Sequence, residues 1–210
     1  MSTPAPGDVV LEAIHGRRSV GRVDGGELSR EVVRELLAAA IAAPNHHLTE
    51  PWRFVVLSGA ARREVGEAHA RAVLRERPDV PPEALERERA RLERAPVVIA
   101  CCVAPGDEPV QAREDRDAVA AAVQNLLLAA HARGLAAMWR TGVMADEPEV
   151  AEALGLAPGE AVVAFVYLGR PLGPAAKRPP RETDPDAFTV WRDGGGGDTV
   201  VARPAAPGRS

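Results

Sequence analysis

Residues 96–104 read PVVIACCVA, nine positions with no charged side chain. A half-exposed strand alternates apolar and polar residues, whereas a strand covered on both faces is apolar throughout. The run therefore predicts a sheet with helices on both sides, and AVVAFVYLG (161–169) repeats the pattern as a second central strand. RFVVL (53–57) and LAAMWR (135–140) are shorter β-rich runs. Between them the period changes. In SREVVRELLAAAIA (29–42), Val32, Val33, Leu36, Leu37, Ala40 and Ile41 keep helical spacing, with Ser29 as N-cap and Pro44 as a stop. Residues 8–15 predict a short first helix. Residues 60–77 and 82–94 are charged helical segments broken at RPDVPP, and the second has so little apolar stripe that it reads as a solvated excursion. Residues 113–133 form the longest helix, with Val119, Val123, Leu126, Leu127 and Ala130 on its apolar face and Gly134 at its C-terminal cap. EPEVAEALG (147–155) predicts one more short helix.

Helices alternating with single strands predict an α+β (α/β-type) domain, a central mixed sheet of about four strands wrapped by helices. It is expected over residues 8–192. In 193–210, DGGGGDTVVARPAAPGRS, four successive glycines lose too much freedom on ordering, which predicts a disordered tail.

Hydrophobic residues make up 46% of the 210 and aromatics only 3%, so Val, Leu and Ala must fill the core. A net charge of −4 leaves no electrostatic footprint for nucleic acid. There is no charged-then-apolar leader and no run of 18 apolar residues, so the expectation is a cytoplasmic protein without a membrane partner. Cys101 and Cys102 are neighbours in a strand and point to opposite faces, which makes them buried free thiols rather than a metal or disulfide pair.

Most protein-borne chemistries are missing. There is no G-x-G-x-x-G, no P-loop, no G-x-S-x-G elbow, no H-E-x-x-H and no C-x-x-C. His46 and His47 are adjacent rather than four apart, so no metal site is expected from them. With no catalytic set of its own, the chain points to a cofactor.

Three clusters fit that reading. RRS (17–19) places two guanidiniums and a hydroxyl where they suit a phosphate. APNHHLTEPWRF (43–54) packs two prolines, two histidines and Trp52 into one connection. GLAAMWRTG (134–142) ends a strand in Trp139, Arg140 and Thr141. Each also has a structural reading: solvated arginines, a proline-stiffened turn with Trp52 in the core, and an aromatic strand end.

In this order and spacing the clusters resemble the nitroreductase-like flavoprotein family, most closely its compact bacterial NAD(P)H nitroreductases. The likeness runs from about Val10 to Arg192 and includes FVYLGRP and DPDAFTVW. It implies an intertwined homodimer with FMN at the interface. Arg17, Arg18 and Ser19 would hold the phosphate and ribityl end. His46, and more weakly Asn45, would reach FMN from the partner chain. Trp139, Arg140 and Thr141 would pass along the ring. Lys177 and Arg178 would add basic contacts, and Ala129, Ala130, His131, Ala132, Arg133 and Gly134 would meet the nicotinamide nucleotide. The implied reaction carries hydride from NADH or NADPH through flavin N5 to a nitroaromatic, quinone or similar small-molecule electron acceptor. The same scaffold also supports dehalogenation and flavin fragmentation, and a non-catalytic flavin-binding or sensing protein would keep the same arginines. Ala42 stands where compact relatives often carry a basic residue, and the 75–94 excursion falls where relatives shape the substrate channel.

Overall fold

The 96–104 run becomes strand β2 (Val97–Val103), with all seven residues buried. It belongs to a computed structural model that describes residues 6–173 and 184–192. Lys177, Arg178 and the 193–210 segment lie outside the described residues. In chain order the elements are α1 (Pro6–Gly16), α2 (Arg30–Ala40), β1 (Trp52–Ser58), α3 (Ala61–Glu76), α4 (Pro82–Arg89), β2, α5 (Pro109–Ala132), β3 (Ala136–Arg140), α6 (Pro148–Ala153) and β4 (Ala161–Gly169). The Ser29 hydroxyl caps α2 by accepting from the Val32 amide at 3.4 Å.

The four strands lie in the order β1-β2-β4-β3. One side of the sheet packs β2 residues Val97, Ile99, Cys101 and Val103 against α2 and α5; the other packs Val98, Ala100 and Cys102 with residues of α3 and α6. The sheet is thus the middle of three layers, as the continuous apolar runs predict. The two thiols do point into opposite cores. Burial pushes both up, Cys102 to about 12, so neither is a thiolate at neutral pH.

The expectation of a mixed sheet needs correction, because all three strand pairs are antiparallel. The cause lies in the connections. β1 reaches β2 through two helices, α3 and α4, which carry the chain away and back, so β2 runs against β1. A single helix, α5, links β2 to β3, and those two strands do run the same way. β4 is inserted between them and is antiparallel to both.

Two boundaries also shift. α5 begins at Pro109, four residues before the predicted start, because proline is well suited to a first helical turn. The 82–94 segment is α4 followed by a 3-10 turn (Arg91–Arg94), and it is not merely solvated: Leu92 is fully buried and Leu85 packs with Ala70 and Val73. Residues 184–192 form a separate short element, a 3-10 turn (Pro185–Phe188) capped by the Asp184 carboxylate, which accepts from the Asp186 amide at 3.0 Å.

Candidate functional site

The candidate site begins where α5 ends. Gly134 adopts φ +67°, a conformation open to glycine, and the Leu135 amide reaches back to the Ala130 carbonyl at 2.9 Å. The chain then turns into β3 at the sheet edge. Beside that edge runs the segment that leaves α1. The Val20 amide donates to Ala137 O at 3.1 Å, and Asp24 N donates to Arg170 O at 2.9 Å. Gly21 lies close to β3, where the flexible end of Met138 fills the space beside it. Gly16 in turn faces His131, with its Cβ position 3.3 Å from Nε2. The fold therefore brings the 17–19 cluster, the 129–134 segment and the 139–141 strand end to one edge.

The side chains there make a basic rim. Arg18 folds back on α1, donating from Nη1 to His15 O at 2.5 Å and to Arg17 O at 2.9 Å. Among the described residues, Arg17, Arg18, Arg22, Arg94 and Arg140 have no carboxylate partner within ion-pair distance. Arg140 Cζ lies 5.8 Å from the Tyr167 ring centroid, beside a small cavity lined by Val20, Gly21, Met138 and Arg94. Burial pushes the Tyr167 phenol up, against the opposing pull of Arg140, Arg91 and Arg94. Trp139, one residue earlier on the strand, points to the other face and packs against the α2–α5 core. Thr141 is exposed at the strand end. Guanidiniums without a carboxylate partner, an exposed hydroxyl at Ser19 and the buried Tyr167 ring behind them are a set that fits an anionic, phosphate-bearing compound.

Asn45 and His46 lie elsewhere. Their loop holds a 3-10 turn (His46–Leu48) and sits over the first half of α5, where His46 Nδ1 is 2.9 Å from Glu114 Oε2. From Glu114 to Ala130, at the other cluster, the helix advances about 24 Å. The loop is unusually constrained: His47, Leu48 and Glu50 all have positive φ, at 62°, 53° and 48°. Such conformations cost about 1–3 kcal/mol each for residues other than glycine and persist only where the surroundings impose them. Trp52 packs at the edge of the α2–α5 core, so the structural reading of that ring holds.

Two residues of this site carry no signal in the sequence. In QAREDRDAV (111–119), Glu114 and Asp115 look like any acids on a charged helix turn, yet Asp115 is 1% exposed and tied to the loop. His46, His47 and Glu114 also bring ligand-type atoms within 4.8 Å of one another. The two rings are stacked, with centroids 3.8 Å apart, so their in-plane lone pairs run side by side and do not converge on a shared ion.

The profile of the nitroreductase family matches residues 14–170. YfhC of Bacillus subtilis (strain 168), an NAD(P)H nitroreductase by name, is 32% identical over 169 residues, 78% of this chain and 84% of that protein. A nitroreductase-like family protein from Bacillus cereus superposes with a TM-score of 0.76 at 26% identity, covering 92% of this chain and all (100%) of that one. A Desulfovibrio desulfuricans protein, solved in complex with FMN and named for the same activity, is 32% identical with a TM-score of 0.60, covering 84% and 94% of the two chains.

Proposed function

The chain belongs to the nitroreductase family, and on that premise we propose that it is an FMN-dependent NAD(P)H oxidoreductase acting on nitroaromatics, quinones or similar electron-poor acceptors. The observation that carries this reading is the acid-free arginine rim of residues 17–22 set along β3 beside the end of α5. FMN, when bound, supplies the two-electron chemistry between NADH or NADPH and the acceptor.

The protein's part is binding and electrostatics. Arg17, Arg18 and Ser19 hold the phosphate and ribityl end; the guanidiniums offer planar, permanently charged donors. Arg140 and Thr141 would meet the ring from the strand end, where the Arg140 guanidinium would supply positive charge. Trp139 supports that strand end from the core side. Ala129 and His131 to Gly134 flank the nicotinamide nucleotide, whereas Ala130 is fully buried in the core and lies behind that surface. Product protonation can come from water.

His46 belongs to the same reading only in a homodimer. Within one chain it stands about 24 Å along α5 from the helix end that lies beside Arg17 and Arg18. A second copy supplies it, with Asn45, to its partner's FMN.

The test is spectroscopic. The purified full chain is expected to be yellow, to bleach on anaerobic addition of NADH or NADPH, and to regain colour when a nitroaromatic follows. Protein that takes up no FMN would falsify the proposal, and bound FMN that neither nicotinamide reduces would make it a binding protein instead. Arg17→Ala with Arg18→Ala should lower FMN retention at least tenfold, the loss of two charge-assisted contacts.

A further inference from the structure

We propose that Glu114 and Asp115 are positioning residues for His46: Asp115 fixes the loop that carries it, and Glu114 fixes which ring nitrogen holds its proton. The inference rests on the reading above only for the identity of the group that His46 meets. The positioning itself follows from the hydrogen bonds.

Asp115 is buried, and each carboxylate oxygen has a donor. Oδ1 accepts from the Thr49 hydroxyl at 2.5 Å, and Oδ2 accepts from the Gly106 amide at 2.8 Å. Thr49 passes the connection on, accepting from Asn45 Nδ2 at 3.0 Å. Asn45 then closes the loop on itself, with Oδ1 accepting from the Glu50 amide at 2.7 Å. This relay spans residues 45–50, the span that holds all three positive-φ residues, and it ends in a rigid helix. A buried carboxylate with both oxygens satisfied is an anchor whose loss leaves donors unpaired. The loop conformation is thereby imposed from α5.

Glu114, one residue earlier, acts on the ring. An ionised carboxylate only accepts, so a neutral His46 that bonds to it through Nδ1 must carry its proton there. Nε2 is then a bare acceptor, or a donor in the imidazolium, and it lies on the far side of the ring from Glu114. The presented nitrogen is the one a bound flavin or electron acceptor would meet. Sequence position alone would have assigned both acids to solvent.

The experiment uses the full chain labelled with 15N-histidine, with the His46 resonances identified by their loss in His46→Gln. At mildly alkaline pH, where histidine is neutral, two-bond proton–nitrogen spectra read the tautomer directly. The wild type is expected to hold His46 as the Nδ1–H form. Glu114→Ala should shift it toward Nε2–H, and Glu114→Gln, whose amide oxygen still accepts, should restore the Nδ1–H form. An unchanged His46 tautomer in Glu114→Ala overturns the role of Glu114. For the loop, Thr49→Val cuts the relay without emptying the buried site, and Asp115→Asn replaces one of the two accepting oxygens by an amide donor. Both should weaken FMN retention about tenfold, the scale of one hydrogen bond to a charged group. Retention equal to wild type in both variants overturns the role of Asp115. A wild type that binds no FMN overturns the proposed function and leaves the tautomer readout standing on its own.

Discussion

His69 shows how a single buried side chain can join three elements. It is 1% exposed in α3, with Nδ1 2.6 Å from Glu147 Oε2 and Nε2 3.1 Å from Glu88 Oε2. Both ring nitrogens thus face a carboxylate, and hydrogen bonds to charged groups are strong where water is excluded. Arg91 completes the group, donating from Nε to Glu88 at 2.7 Å. Burial alone would raise the Glu88 carboxyl; Arg91 and His69 together outweigh it and hold it below its ordinary value of 4.5. The sign follows from that depression. Ionised Glu88 stabilises the fold above the ordinary carboxylate range, and this contribution is lost as pH falls through the lowered folded value. Melting temperatures measured from neutrality down through the carboxylate range should therefore fall more steeply for wild type than for Glu88→Gln. Parallel curves would show that Glu88 contributes nothing to acid sensitivity.

At the scale of elements, the α3–α4 pair depends on a close crossing at Gly66. A Cβ at this position would fall inside the envelope of the Arg89 carbonyl oxygen, at the end of α4. Glycine inside a helix is normally a defect, and replacing it with alanine gains about 1 kcal/mol. Here the sign should reverse. Gly66→Ala is expected to destabilise the chain by about 1–3 kcal/mol through overpacking, read from the denaturant midpoint, and a stability gain would rule out the crossing. In the sequence Gly66 reads only as a weak point in a charged helix. The 82–94 segment is legible to the same limited degree: its charges are visible, but Leu85 and Leu92 look too sparse to anchor anything. Fully burying one leucine is worth about 2 kcal/mol, so Leu92 alone can seat the turn after α4.

At the scale of the whole molecule, α1 has an apolar surface that the described residues leave exposed. Val9, Val10, Leu11 and Ile14 are 45–59% exposed on a helix that leads straight into the arginine rim. Helix apolar faces of this kind are normally buried. In the proposed homodimer α1 would pack on the second copy, close to the site it helps to form. Sedimentation of the full chain should give a dimer, and Val10→Glu with Ile14→Glu should shift it toward monomer and release FMN with every arginine intact. A variant that stays dimeric and keeps its flavin would place α1 outside the interface.

Local patterns were enough to determine the layers of this protein. Continuous apolar runs mark β2 and β4 as covered on both faces, helical spacing marks α2 and α5, and Gly134 marks the end of α5, because each depends on residues a few positions apart. The RRS and WRTG segments were equally legible, since their chemistry lies in the residue types themselves. Tertiary structure alone decided the antiparallel order of the strands, the distance between His46 and the arginines of its own chain, and the turn of Glu114 and Asp115 toward the loop. Those are contacts between residues far apart in the chain, 68 positions for His46 and Glu114 and 71 for Val97 and Leu168, and no local periodicity encodes which distant partner a side chain will meet.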